Sequence, residues 1–172
     1  MSVMLFSNNP RMRGFLPEGV VRDECAKASS FAPQNQTDAS CAFACHIIPG
    51  SPLGVLYSAR DKIHSGWKLL NHPLYGNYRP HQQPYRSLLV SHTPCTETDP
   101  DGITRIEPDP MSLHLLEEAL GVYHSVPVLS PDAAPPSLRE DCAVLDCELM
   151  RLPLLQALSQ AGLPQDSLGP LA

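Results

Sequence analysis

The run from Cys41 to Leu70 narrows the fold of this chain more than any other segment. Cys41-Ala42-Phe43-Ala44-Cys45-His46-Ile47-Ile48 is of strand length, carries few polar groups and stops at Pro49-Gly50, the profile of a strand covered on both faces. Ser51-Pro52 then supplies an N-cap and an N1 proline, whose missing N–H and preset φ suit a first helical turn. Leu53, Leu56, Arg60 and Ile63 fall on one stripe with Val55 and Ala59 beside it, and Gly66 follows as a residue free to take positive φ. The spacing predicts a helix from Pro52 to Ser65, and Trp67-Lys68-Leu69-Leu70 a strand after it. Strand, helix, strand at this spacing is a βαβ unit, right-handed and parallel in nearly all cases. The expected class is α/β: a small, mostly parallel sheet flanked by helices, built of Rossmann-like βαβ units, with a C-terminal helical extension.

Either side of that unit the pattern is less regular. Val3 to Ser7 is an apolar run closed by Asn8-Asn9-Pro10 and reads as a first strand, since Asn tolerates the left-handed region and Pro cannot continue a ladder. Residues 11–40 read as loop around a short helix near Val20 to Ser29. Asn71 to Gln83 is a polar loop longer than the usual connection, and a strand resumes over Tyr85 to Ser91. A proline-studded connection from Thr93 to Pro110, with a short strand at Ile103 to Ile106, leads to a helix capped by Asp109-Pro110 that carries Leu113, Leu116, Leu120 and Tyr123.

A core domain is expected over residues 1–126, and a linker plus helical extension over 127–172. Four prolines between Val126 and Pro136 mark the linker. Beyond it, Ser137-Leu138-Arg139-Glu140 has the form of a capping box, and Leu138, Cys142, Leu145, Leu149 and Leu152 form an amphipathic stripe. Pro153 is expected to break or kink that helix. Its apolar face must be buried on the core domain or against a second copy, the latter giving a homo-oligomer through this helix.

Composition excludes whole classes of function. The 172 residues are 42% hydrophobic, yet no apolar stretch approaches the ~18 residues of a membrane span. The net charge is −6, and the 12 basic residues are scattered, so no patch exists to displace counterions from a phosphate backbone and no nucleic-acid partner is expected. Nineteen prolines, roughly twice the usual ~5%, punctuate a folded chain. Met1 to Ser7 has no positively charged segment or cleavage site of a signal peptide, which leads to a cytoplasmic expectation. Six cysteines (25, 41, 45, 95, 142 and 147) are too sparse for a disulfide scaffold and read as reduced thiols.

Candidate chemistry concentrates in one region. A loop leaving the C-terminal end of a parallel strand sits where open α/β sheets place their ligands, and Asn8 and Asn9 share that end if the first strand runs parallel to the third. His72 offers a proton donor or acceptor, Arg79 and Arg86 offer anion contacts, and Asn8, Asn9, Tyr85 and Ser87 offer neutral hydrogen bonds. The set suits a small carboxylate or phosphoester; alternatively its polar atoms serve the loop's own backbone. Cys41, Cys45 and His46 do not converge on a strand, and Cys142 and Cys147 diverge on a helix, so no metal site and no cofactor are expected. Cys95, beside Pro94 in a loop, is the thiol expected to be exposed. Arg60 and Asp61 read as a buried pair or as solvated charges, and His64 as a charge at a helix C-terminus.

Ser7-Asn8-Asn9-Pro10, Ala59-Arg60-Asp61-Lys62-Ile63-His64-Ser65-Gly66, Leu69-Leu70-Asn71-His72-Pro73-Leu74-Tyr75-Gly76, Pro80 and Pro84-Tyr85-Arg86-Ser87 together resemble the GrdX family. The resemblance covers roughly residues 3 to 125, with residues 11–40 and the tail after 126 outside the pattern. It implies an accessory or binding protein encoded beside the glycine, sarcosine and betaine reductase genes of anaerobic amino-acid-fermenting bacteria. Amino-acid reductase components and a small anionic ligand are then the expected partners, and no catalytic residue is implied. The alternative class is a small hydrolase or transferase acting on an acyl or phosphoryl compound, with His72 as acid or base.

Overall fold

The computed structural model describes residues 1–17, 43–93, 106–163 and 168–169. The expected helix at 20–29, the strand at 103–106 (apart from Ile106), and Cys25, Cys41 and Cys95 lie outside them. The elements are β1 (Ser2–Ser7), α1 (Met12–Phe15), β2 (Phe43–Ile47), α2 (Pro52–His64), β3 (Lys68–Leu69), β4 (Ser87–His92), α3 (Pro110–Ser125) and α4 (Pro136–Gln160), with single 3-10 turns at Tyr75–Asn77 and Pro131–Ala133.

The four strands form one sheet in the order β2-β1-β4-β3. Among the described residues only β1 and β2 pair in parallel; β4 is antiparallel to both β1 and β3. The sheet is therefore mixed and not mostly parallel. β2 and β3 do run in the same sense, as the βαβ reading requires, but β1 and β4 are inserted between them. β2 is an edge strand with β1 as its partner among the described residues, so its apolar composition does not reflect a central position.

Alternation along the strands divides the interior in two. Val3, Leu5, Phe43, Cys45 and Leu89 face α1 and α4. Phe6, Leu88 and Val90 face α2 and α3, where they meet Val55, Leu56, Ala59, Ile63, Leu116, Ala119, Leu120 and Tyr123. Helices thus cover both faces of the sheet, and α4 is one of those covers.

The caps of α2 and α3 follow their sequences. Ser51 Oγ accepts from Leu53 N at 3.3 Å and Asp109 Oδ2 from Ser112 N at 3.0 Å. At the end of α2 the N–H groups of Gly66 and Trp67 bond the carbonyls of Ile63 and Lys62, with Gly66 at φ +84°, the paired closure that a left-handed residue after a helix permits. Arg60 does not point into the core: it lies half-exposed and pairs with Glu117 of α3, while Asp61 and His64 are exposed.

α4 departs from its expected form in three ways. It begins at Pro136, and no side chain caps it, so Ser137 lies in the first turn and is no N-cap. It runs through Pro153 unbroken, so of the expected break or kink the break does not occur. A proline in a helix interior costs ~3 kcal/mol, whereas Leu154, Ala157 and Leu158 beyond it are all buried and each leucine contributes about 1.5–3 kcal/mol. Its buried stripe is Cys142, Ala143, Asp146, Cys147, Met150, Leu154, Ala157 and Leu158, rotated from the leucine stripe; Leu138 and Leu152 are exposed.

Candidate functional site

Because β1 and β3 both run opposite to β4, the end of β1, the end of β3 and the start of β4 share one end of the sheet. Asn8 and Asn9 follow β1, the loop from Asn71 follows β3, and Arg86 and Ser87 open β4. α4 crosses the same end and brings Asp146 to it.

Asn8 is buried and uses its amide as a backbone substitute. Its Oδ1 accepts from Arg86 N at 2.7 Å, and its Nδ2 donates to Gly50 O and Pro84 O, both at 2.8 Å. Asn9, also buried, donates from Nδ2 to Ala143 O at 2.9 Å and to Asp146 Oδ2 at 3.0 Å, while its Oδ1 accepts from Arg11 N. The β1 loop is thereby fastened to β4 on one side and to α4 on the other.

The Asp146 carboxylate is fully buried. It accepts from Ser87 Oγ at 2.8 Å, from Asn9 Nδ2, and from Tyr75 OH. With the Ser87 hydroxyl proton aimed at Asp146, the 2.8 Å contact between Ser7 Oγ and Ser87 Oγ has Ser7 as donor, and Ser7 Oγ accepts in turn from Asn9 N. Burial raises the Asp146 carboxyl above the ordinary carboxylate range, against the lowering effect of its three donors and of Arg86. Burial and then Asp146 hold the Tyr75 phenol well above its usual value.

Arg86 is fully buried as well, on the α3 side of the sheet. Its Nε donates to Tyr123 OH at 2.8 Å and its two terminal nitrogens to Tyr75 O and Tyr78 O at 2.8 and 3.3 Å. The guanidinium also lies 4.9 Å from the centre of the Tyr75 ring, within cation–π range. Gly76 at φ +75° and Asn77 at φ +56° turn the chain between the two carbonyls that Arg86 holds.

The seven sequence-selected residues therefore separate into two groups. Asn8, Asn9, Tyr85, Arg86 and Ser87 are buried, Tyr85 against Cys142 and Ala143. His72 and Arg79 are exposed. His72 Nδ1 accepts from Leu74 N at 3.0 Å, and Arg79 N donates to Gln82 Oε1 at 3.0 Å. Tyr75, Ser7 and Asp146 belong to the cluster and were not singled out by sequence. The signal for Asp146 was its place between Ala143, Cys147 and Met150, a stripe outweighed by the leucines.

The thiols here are shielded. Burial, then Asp146, pushes Cys147 up to about 12, and burial also raises Cys142; neither is an activated nucleophile. Among the described residues no group of three or more His, Cys, Asp or Glu side chains is arranged to hold a metal, and no helix is long and apolar enough to cross a membrane.

The family model described as GrdX-like protein matches residues 33–154. The match begins after β1 and extends through residue 154 of α4, so the helical tail lies largely inside the family pattern and not outside it. Comparison with curated proteins and with solved structures found no match.

Proposed function

Because the chain belongs to the GrdX-like family, we propose that it is a non-catalytic accessory or binding protein of a glycine, sarcosine or betaine reductase system. In this reading it works in the cytoplasm, on or beside the selenoprotein-dependent reduction of amino acids. The end of the sheet described above is its binding region, for a small anion or a segment of a reductase component. His72 and Arg79 meet the bound group from the surface. Asn8, Asn9, Tyr85, Arg86 and Ser87 act from beneath, by fixing the loop that carries them.

The observation that favours binding over catalysis is the hydrogen bond from Leu74 N to His72 Nδ1. With Nδ1 accepting, the neutral ring carries its proton on Nε2, so the exposed nitrogen is a donor. A donor suits a bound carboxylate or phosphate; a general base would need a free lone pair there. The test is reductase turnover by purified components with and without this protein. Wild-type protein is expected to change turnover or bind a component directly, and His72→Ala combined with Arg79→Ala to lose most of that effect. Wild-type protein without effect or binding would sink the proposal.

A further inference from the structure

The outer side of α4 and the loop after β3 meet in a way that neither sequence segment announces. A Cβ placed on Gly76 would lie 2.8 Å from Leu149 Cδ1 and 3.0 Å from Tyr78 Cδ2. The bare glycine is thus the floor between a tyrosine ring on the loop and a leucine on α4. Tyr78 is 36% exposed and Leu152, one turn along the same flank of the helix, is 63% exposed, with Leu145 and Leu149 half-buried beside them. The surface is firm: Arg86 holds the carbonyls of Tyr75 and Tyr78 from below, and Tyr75 is bonded to Asp146 of α4.

Charge defines what fits it. The chain has 18 acidic residues, yet none lies between Asp61 and Glu97, a span that carries Lys62, Lys68, Arg79 and Arg86. The loop beside Tyr78 therefore presents exposed Arg79, His72 and His81 with no carboxylate of its own. The opposite side of the leucine flank carries Asp141 and Glu148, and Glu148 is paired with Arg151 at 3.0 Å. An apolar strip with the Arg79 charge and two histidine donors along one side matches a segment that has apolar side chains and carboxylates on its loop-facing side.

We propose that the surface formed by Tyr78, Leu149 and Leu152, edged by Arg79, docks an acidic amphipathic segment of a partner protein. This deepens the binding reading by giving the partner's chemistry, and rests on it. Tyr and Arg are the residue types most often dominant at such contacts.

The probe is a labelled synthetic helix with leucines on one face and glutamates flanking them, titrated with the full chain by fluorescence anisotropy. A second helix has lysine in place of every glutamate. The glutamate helix is expected to bind, the lysine helix at least tenfold more weakly, and Leu152→Glu and Arg79→Glu each to lower affinity about tenfold with melting temperature near wild type. Both positions are exposed, so the variants retain the fold. No binding, equal binding of the two helices, or wild-type affinity in both variants would overturn the proposal. So would concentration-dependent dimers that Leu152→Glu dissolves, since a second copy would then be the occupant. The reductase assay is separate: a silent reductase with an intact helix titration removes the reductase link and leaves this surface standing.

Discussion

Arg86 and Asp146, two fully buried opposite charges, do not pair directly; Tyr75 stands between them, its ring under the guanidinium and its hydroxyl on the carboxylate. One tyrosine thus connects a charge on the α3 side of the sheet with one on the α4 side. Its hydroxyl also accepts from Ser87 N at 2.8 Å. Tyr75→Phe leaves that N–H and Asp146 each short of a partner. The expected loss is about 1–3 kcal/mol, read as a lower urea midpoint with an unchanged slope.

The raised Asp146 carboxyl gives a signed pH effect. A folded-state value above the unfolded one means that folding takes up a proton. The associated stability is therefore present in acid and is lost as pH rises from the ordinary carboxylate value of 3.8 to the raised folded value. Asp146→Asn lacks this titration. The melting temperature of the wild type minus that of Asp146→Asn should fall across this window and level off above it; a difference that grows with pH would contradict the assignment.

Cys147 offers a chemical readout of the same region. With its thiol pushed up to about 12 and its side chain buried, it should resist iodoacetamide at pH 8 in the native protein. Peptide mapping across a urea series should show its labelling rising together with global unfolding.

Gly76→Ala combines two costs. The added Cβ meets Leu149 and Tyr78, and the backbone is at φ +75°, where an L side chain loses roughly 1–2 kcal/mol. Adding Leu149→Ala should relieve the Leu149 contact and leave the Tyr78 contact and the backbone part, so the double variant is less destabilised than the sum of the singles by urea titration.

Removing everything after residue 126 should uncover the face of the sheet that holds Val3, Leu5, Phe43 and Leu89. We expect that shortened chain to bind a hydrophobic dye and to associate, while the full chain does neither at low concentration. The outcome is the reverse of one in which α4 causes association, and light scattering distinguishes the two.

Much of this fold is legible locally, and what is not legible is non-local. Ser51-Pro52 and Asp109-Pro110 mark the starts of α2 and α3 because caps and prolines act within one turn. Strand order is different: Val3 and Phe43 pair across a long stretch of chain, and nothing within either strand specifies that partner. Asn8 and Asn9 share an end with the loop after β3 because β1 and β3 run in the same sense, as the sequence pattern suggests, but Arg86 and Ser87 join them only because β4 is antiparallel, which a mostly parallel reading does not convey. Asp146 is not conveyed either, because it arrives on a helix whose exposed leucines, Leu138 and Leu152, outscore the alanines and cysteines that are buried. In α4 residue hydrophobicity points one way and packing the other.

Asn71 closes β3 after two residues with its side chain: Nδ2 donates to Ser87 O at 3.1 Å and Oδ1 accepts from Leu89 N at 2.8 Å. The amide continues the ladder by one step, so β4 keeps its hydrogen bonds although the neighbouring backbone has already turned away. Sheet register is thereby uncoupled from the length of the loop that follows. The pairing of β4 is thus held from the β3 side by Asn71 itself, and the stretch beyond the Arg86-held carbonyls is positioned by separate contacts, with Pro80 O accepting from Leu129 N at 3.0 Å.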